Sequence, residues 1–275
     1  MTFGSLQTVE SSSRFDLVVG GGGIPGIFAF AGAVQALLDS GITFNEVGGV
    51  SAGSIVASIV ARGMDLEKTV REVGPQIDAT FCPHRAVANP PYTYSNKTIK
   101  ELLSRTFPGS MGLCKTPIHI VTSNITTQNQ MIMYSGIHKK TPLADAIYAS
   151  MAIPGVFAPM RMNDMWFVDG GLCSNNPVDD IFGTQRKVIA ILGETNHKPR
   201  ELSGPIDFFS QVINTAIAHN STEDLDNHNA LLINVKLYGD MLVFKPNALF
   251  IQMNWESGYK AAARALWQYK KRISS

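Results

Sequence analysis

Residues 18–41 read "VVGGGGIPGIFAFAGAVQALLDSG": two valines, four consecutive glycines, and an apolar stretch that ends at Gly41. Residues 15–20 form a short apolar run that predicts a buried strand. Residues 26–41 are typical of a helix that stops at a glycine. A glycine-rich turn between a strand and a helix presents backbone N–H groups at the helix N-terminus, where they can bind an anion. The stretch therefore predicts a strand, an anion-binding loop and a helix.

Beyond this unit, strand-like and helix-like stretches alternate along the chain. The predicted strands cover residues 46–50, 117–125, 129–135, 165–169, 187–194 and 230–239. The predicted helices cover residues 54–63, 65–78, 95–107, 141–152, 205–219 and about 247–272. This alternation predicts an α/β fold with a largely parallel sheet. We expect a flexible N-terminal segment at 1–14 and a single domain at 15–275. The proline-rich loop at 82–96 is expected to be either a lid or binding rim, or a plain connection.

The composition argues against several classes of protein. The chain has 275 residues, of which 45% are hydrophobic, and a formal net charge of +1. These values favour a large core and argue against disorder and against a nucleic-acid partner. The three cysteines, at positions 82, 114 and 173, are too widely spaced for a disulfide framework or a zinc site. Since no leader peptide and no apolar run of about 20 residues is evident, we expect a cytoplasmic protein.

The glycine loop alone fits more than one anion. A phosphate-binding Walker loop would need Lys and Ser or Thr where Ile27 and Phe28 stand. The dinucleotide pattern G-x-G-x-x-G does match, and Glu46 follows at about the 20-residue distance expected of a ribose-binding acid. A loop that stabilises the oxyanion of an acyl transfer is a third interpretation, and a glycine turn that binds no ligand is a fourth.

A second motif favours the oxyanion. Residues 49–53 read "GVSAG" and lie between a predicted strand and a predicted helix, which is the setting of a nucleophile elbow. The tight turn needs small residues at Gly49 and Gly53, and it exposes the Ser51 hydroxyl at a helix N-terminus. Ser51 is therefore the candidate nucleophile, and the dinucleotide interpretation leaves this motif unexplained.

The serine needs a base, and the residues alone leave two candidates. In the chain order of the α/β-hydrolases, Asp169 would orient a histidine, and three histidines follow it, at positions 197, 219 and 228. Alternatively Asp169, which ends an apolar strand and precedes Gly170 and Gly171, could take the proton itself. Considered alone, an Asp-Gly pair is more typical of an ordinary turn.

Four motifs together resemble those of the patatin-like phospholipases, which are lipid acyl hydrolases. They are "GGGGIPG" (20–26), "GVSAG" (49–53), "AIYASMAIPGVFAP" (146–159) and "FVDGGLCSNNP" (167–177). The resemblance implies a three-layer α/β sandwich and a Ser51–Asp169 dyad without histidine. It also implies an oxyanion hole at Gly21, Gly22 and Gly23, with Gly49, Gly53, Gly170 and Gly171 supporting the elbow and the dyad. A lipid ester is the implied substrate, and neither a metal nor an organic cofactor is expected.

Two positions depart from the family pattern. Pro25 and Tyr148 stand where the family usually has a cation, so strong binding of an anionic head group is not expected. A non-catalytic lipid-binding module of the same fold is the alternative that these losses leave open.

The C-terminal helix is amphipathic and ends in basic residues. Its apolar positions recur at spacings of three and four, namely Trp255, Tyr259, Ala262, Leu266, Tyr269 and Ile273. Basic residues gather at its end, at Lys270, Lys271 and Arg272. The pattern predicts either a helix packed on the sheet or a peripheral membrane contact through the basic end.

Overall fold

The computed structural model describes residues 14–80, 96–183, 186–194, 205–219, 230–239 and 246–274. The strands are β1 (Arg14–Val19), β2 (Thr43–Val50), β3 (Ile118–Asn124), β4 (Asn129–Tyr134), β5 (Met160–Met162), β6 (Met165–Asp169), β7 (Val188–Glu194) and β8 (Ala230–Lys236). The helices are α1 (Gly23–Asp39), α2 (Ala52–Arg62), α3 (Leu66–Thr80), α4 (Asn96–Thr106), α5 (Leu143–Met151), α6 (Val178–Phe182), α7 (Pro205–His219) and α8 (Ala248–Ser274). Short 3-10 turns lie at Met111–Leu113 and Gly170–Leu172.

The eight strands form one mixed sheet. Its order is β5-β6-β3-β2-β1-β7-β8, and β4 pairs with β3. The strands β3, β2, β1, β7 and β8 are parallel, so their carboxyl ends lie at one end of the sheet, which we call the carboxyl end. The antiparallel pairs are β3 with β4, β3 with β6, and β5 with β6. The predicted α/β fold with a largely parallel sheet is confirmed.

Helices cover both faces of the sheet, but unequally. On one face, a large core joins the inward side chains of β1, β2, β3, β7 and β8 to α1, α2, α3, α5 and α8. On the other face, a small cluster joins Val18, Val188 and Ala190 of the sheet to Val178 and Phe182 of α6. The elbow and the glycine loop belong to the better-covered side, because α1 and α2 start from them.

Helix α8 extends from one end of the sheet's strands to the other. Near its start, Asn254 hydrogen-bonds the backbone of Tyr238, just beyond the carboxyl end of β8. Near its finish, the Tyr269 ring packs edge-on against Phe15, at the amino end of β1, with centroids 6.3 Å apart. The basic cluster that follows Tyr269 therefore lies at the end of the sheet opposite the carboxyl end.

The apolar face of α8 packs on the core, as one of the two interpretations of its pattern predicts. Trp255, Ala262 and Leu266 are buried, whereas Ile273 is exposed. The contact with α1 is close because Gly32 faces the backbone of α8, and a Cβ there would stand 2.2 Å from the Trp255 carbonyl oxygen. Within the part of the chain that the structure describes, no helix has the length and hydropathy needed to cross a membrane.

Two predicted features fall largely outside the described residues. Residues 1–13 of the predicted N-terminal segment and residues 82–95 of the proline-rich loop are not described, so both predictions stand untested. The last residue of each predicted segment is described: Arg14 is the first residue of β1, and Asn96 is the first residue of α4.

Candidate active site

The elbow places Ser51 in a strained turn between β2 and α2. Its φ of 52° and ψ of −125° lie in a region that non-glycine residues rarely adopt. The surrounding glycines make the turn sterically possible. A Cβ on Gly49 would stand 2.5 Å from the Gly53 carbonyl oxygen, and one on Gly53 would stand 2.1 Å from that of Val19. Both positions therefore require glycine.

The strand register brings Asp169 to Ser51. Because β4 occupies one edge of β3 along its length, β2 and β6 must share the other edge. There β2 ends with Val50 opposite Val121, and β6 ends with Asp169 opposite Thr122. The two strands thus meet end to end on neighbouring residues of β3. The Ser51 hydroxyl donates a hydrogen bond of 2.8 Å to Asp169 Oδ2.

Asp169 is fully buried, and each of its three oxygen atoms accepts a hydrogen bond. Its Oδ1 accepts the Gly171 N–H at 2.8 Å, and its carbonyl oxygen accepts the Ser123 hydroxyl at 2.9 Å. Burial raises the pKa of Asp169 to about 6, although the bonds from Gly171 and Ser51 act in the opposite direction. A carboxylate with this pKa is mostly ionised at neutral pH and is a stronger base than an exposed aspartate.

Gly170 is required where β6 turns away from β3. A Cβ there would stand 2.2 Å from the Val121 carbonyl oxygen, so no larger residue fits. The turn that follows lets the Gly171 N–H reach back to the Asp169 carboxylate. We call Asp169–Leu172 the DGG turn. The structure therefore brings the predicted support residues Gly170 and Gly171 to the dyad.

The glycine loop lies beside Ser51 and is bridged to the DGG turn by Asn175. A Cβ on Gly21 would stand 3.5 Å from the Ser51 Cβ but only 2.1 Å from Asn175 Oδ1. The Gly21 N–H points to the Asn175 carbonyl oxygen, at 3.4 Å. On its other side, Asn175 Oδ1 stands 3.0 Å from where a Gly171 Cβ would be. Asn175 lies in the fourth family-like motif, but the sequence alone did not indicate a role for it.

Backbone N–H groups at the start of α1 lie next to Ser51. The helix begins at Gly23, which has a φ of 59°, and its Gly26 N–H is already bonded to the Gly22 carbonyl oxygen at 3.0 Å. Within the described ranges, no hydrogen-bond partner takes the N–H of Gly22 or Gly23. Pro25 has no N–H to contribute. The loop can thus donate two N–H groups to an anion.

Ser150 is a site residue that the sequence analysis missed. Its hydroxyl oxygen accepts the Ser51 backbone N–H at 2.9 Å and donates to the Val121 carbonyl oxygen at 2.7 Å. Ser150 is fully buried at the end of α5. It therefore ties the strained elbow to β3, across 99 residues of sequence. The only sequence signal was its place in the third family-like motif.

We expect a Ser150→Ala variant to remain folded but to turn over an ester about 10- to 100-fold more slowly, with KM little changed. The loss leaves a buried N–H unsatisfied in a strained residue, so Ser51 Oγ shifts from Asp169. Ser135→Ala is the matched control, because Ser135 Oγ accepts the Ile118 N–H at 3.0 Å at the other end of β3. Both variants should lower Tm. Equal loss of kcat in the two variants would mean that Ser150 has only a structural role.

The cation that the family usually has in the third motif is replaced by a buried ring. Tyr148 is fully buried, and its hydroxyl donates to the Ala158 carbonyl oxygen at 2.6 Å. Burial raises the pKa of Tyr148, so the side chain is neutral. Neither Tyr148 nor Pro25 can therefore attract an anionic head group to the site.

No imidazole stands between Ser51 and Asp169, because the hydroxyl donates directly to the carboxylate. His119 is bonded to Glu46 and stacked on Tyr134. The other described histidines are His138, bonded to the backbone of Tyr134, and His219, at the end of α7. His197 and His228 lie outside the described residues. The geometry therefore favours the direct dyad over the alternative triad.

Glu46 does not serve a dinucleotide. It lies four residues before the end of β2, in an ion cluster with Arg186 and His119. Arg186 also pairs with the buried Asp16. Since Glu46 is engaged there and not at the glycine loop, the dinucleotide interpretation loses its second element. Among the described residues, no group of three or more His, Cys, Asp or Glu side chains could hold a metal ion.

Comparisons with known proteins agree with this architecture. The chain is 28% identical over 179 residues to an NTE-family protein of Mycobacterium tuberculosis, a match that covers 64% of this chain and 30% of that protein. It is 28% identical over 184 residues to the lysophospholipase NTE1 of Yarrowia lipolytica, covering 65% of this chain and 12% of the relative. The chain thus spans less than a third of the length of these relatives.

Among solved structures, VipD of Legionella pneumophila superposes with a TM-score of 0.62 at 16% sequence identity. The superposition covers 95% of this chain and 69% of VipD, and it supports the fold. The family model described as "Patatin-like phospholipase" matches residues 17–182, more than half of the chain and all four motifs up to the end of α6. The chain therefore belongs to the patatin-like phospholipase family.

Proposed function

We propose that this chain is a serine acyl hydrolase that cleaves fatty-acyl esters of lipids, including phospholipids. The observation that carries the proposal is the 2.8 Å hydrogen bond from Ser51 Oγ to the buried Asp169 carboxylate. Family membership and the similarity to a lysophospholipase support a lipid ester as the substrate. The non-catalytic alternative is disfavoured, because a strained serine and a buried carboxylate both cost folding free energy that a binding module need not spend.

In the proposed reaction, Asp169 accepts the hydroxyl proton while Ser51 Oγ attacks the ester carbonyl carbon. The N–H groups of Gly22 and Gly23 stabilise the oxyanion; Gly21, the third predicted donor, is directed towards Asn175 instead. The tetrahedral intermediate collapses, and Asp169 returns the proton to the leaving alcohol. Water then attacks the acyl-serine with Asp169 again as base, which releases the fatty acid and restores Ser51.

The direct test is covalent labelling. A fluorophosphonate should modify the parent chain at Ser51 and leave the Ser51→Ala variant unlabelled, and a panel of lipid esters should show release of fatty acid by the parent. A folded parent that is neither labelled nor active on any ester would support the non-catalytic module instead.

Activity is expected to depend on pH through Asp169. Because burial raises its pKa to about 6, the base is protonated below that pH. We therefore expect kcat/KM to rise about tenfold between pH 5 and pH 7 and to level off above. The profile should persist when histidines 84, 197, 219 and 228 are replaced by glutamine, since no imidazole takes part. A profile that is flat from pH 5 to 7, or that disappears with those histidines, would contradict the dyad.

A peripheral contact with membranes belongs to the same proposal, but the basic end of α8 is poorly placed to serve the dyad. Lys270, Lys271 and Arg272 follow the Tyr269–Phe15 contact at the amino end of the sheet. Ser51 and Asp169 lie at the carboxyl end. A membrane bound to this basic cluster would face away from the site that must receive its lipids.

A further inference from the structure

Helix α7 lies against the catalytic site. Its inner face carries Ile213, which packs against the main core, and Ile217, which is buried. Ile217 Cγ2 stands 3.3 Å from the position that a Cβ on Gly171 would occupy. Because Gly171 donates its N–H to Asp169, α7 touches the turn that holds the catalytic carboxylate.

The outer face of α7 exposes two large apolar side chains. Phe208 and Val212 are 56% and 48% exposed, and they lie one helical turn apart. The other described exposed positions of α7 are Thr215, Ala216 and His219. None of these five is Lys, Arg, Asp or Glu.

Single exposed apolar residues are common on protein surfaces and need no explanation. An exposed Phe–Val pair is unusual for a helix in water when, as at the described exposed positions of α7, no formally charged side chain accompanies it. The exposed end of α8 offers a contrast, since its apolar Trp267 is accompanied by Lys270, Lys271 and Arg272. Helix α7 thus combines an outer face that exposes Phe208 and Val212, with no formal charge at its described exposed positions, and an inner face that contacts the DGG turn.

We propose that the outer face of α7 seats the protein on a lipid surface, with Phe208 and Val212 entering the acyl region. The inference rests on the proposed lipid substrate and names how that substrate is reached. A helix is about 10 Å wide, so lipid on the outer face lies about one helix diameter from the DGG turn against its inner face. The lack of formal charge at the described exposed positions predicts binding to zwitterionic lipid that is insensitive to salt, unlike binding through a basic cluster.

The test compares two paired substitutions, Phe208→Gln with Val212→Gln on α7 and Trp267→Gln with Ile273→Gln on α8. Trp267 and Ile273 are 59% and 66% exposed, so the second pair removes similar apolar surface at the opposite end of the sheet. Phosphatidylcholine vesicles serve as the lipid, with sedimentation for binding and release of fatty acid for activity. A short-chain ester below its critical micelle concentration reports the dyad alone. Circular dichroism checks that each variant is folded.

We expect the α7 variant to bind vesicles about tenfold or more weakly and to hydrolyse vesicle lipid correspondingly slowly, with hydrolysis of the soluble ester unchanged. The α8 variant should match the parent in all three measurements. Equal vesicle binding by the α7 variant and the parent would overturn the inference, as would loss of binding in the α8 variant. Loss of soluble-ester hydrolysis in a folded α7 variant would mean that the helix supports the site instead. If the parent binds vesicles through α7 but hydrolyses no ester, the proposed function fails while this surface stands.

Discussion

The Ser51→Ala and Asp169→Asn variants are each expected to hydrolyse a lipid ester about 10⁴-fold more slowly than the parent chain, or more slowly still. Ser51→Ala removes the attacking oxygen. Asp169→Asn leaves that oxygen without a base, because the Ser51 hydroxyl has no other acceptor at the site than Asp169 Oδ2 among the described residues. Release of fatty acid under single-turnover conditions measures the loss directly.

Removing both groups should lower the rate little more than removing one. The two groups act as a unit, because the nucleophile does not react without its base and the base has no function without the nucleophile. Ser58→Ala is the matched control for Ser51→Ala. Ser58 is also a buried serine of this region, and its hydroxyl donates to the Ser54 carbonyl oxygen within α2, away from Asp169. Near-parental turnover by a folded Asp169→Asn protein would exclude the dyad.

These losses should not come from unfolding. Burial raises the pKa of Asp169 to about 6, whereas a carboxyl in the unfolded chain titrates near 3.9. The folded protein therefore holds this proton more tightly, and ionisation of Asp169 lowers stability as pH rises from about 4 to 6. Asparagine can still accept the Gly171 N–H and contact Ser51 without burying a charge. The Tm of the Asp169→Asn variant at pH 8 should therefore equal or exceed that of the parent protein.

Most of the sheet and its helices could be predicted from the sequence because each element has a local signal. Residues 15–20 and 187–194 are apolar runs, and β1 and β7 lie within a residue or two of those bounds. Helix α1 begins at Gly23 and not at residue 26, since Pro25 fits the first turn of a helix. The short elements α6 and β5 were missed, because five and three residues are too few to show a period.

The dyad could be predicted only as two motifs, and their contact depends on tertiary structure. Ser51 and Asp169 are 118 residues apart, and they meet because β2 and β6 end on adjacent residues of β3. Nothing local signals that arrangement. The same holds for Ser150, whose bond to Ser51 is set by how α5 packs against the elbow.

The C-terminal helix shows a different limit. Its apolar spacing correctly predicted a buried face, with Trp255, Ala262 and Leu266 in the core. The sequence could not show at which end of the sheet the basic residues would lie. That depends on the direction of α8 relative to β8, which the contacts of Asn254 and Tyr269 reveal.

The glycine loop should tolerate alanine at position 21 far less than its backbone angles suggest. Gly21 has no positive φ, so alanine costs no backbone strain there. Its Cβ would nevertheless stand 2.1 Å from Asn175 Oδ1, so either Asn175 or the loop must move. Movement of the loop shifts the N–H groups of Gly22 and Gly23 away from the oxyanion. A displacement of about 1 Å at such a site costs about 100-fold in rate, which is the loss we expect in kcat for Gly21→Ala.

Asn175→Ala provides the means of separating this steric effect from a loss of folding. Removing the Asn175 carboxamide clears the space that the Gly21→Ala methyl needs, so the double variant should be at least about tenfold more active than Gly21→Ala alone. The two substitutions would then be coupled favourably, although each alone lowers activity. Steady-state kinetics on a soluble ester, with Tm measured for all three variants, gives the coupling directly. A double variant no faster than Gly21→Ala would show that the Asn175 side chain does not set the position of the loop. That result would also remove one argument for the Gly22 and Gly23 N–H groups as the oxyanion donors.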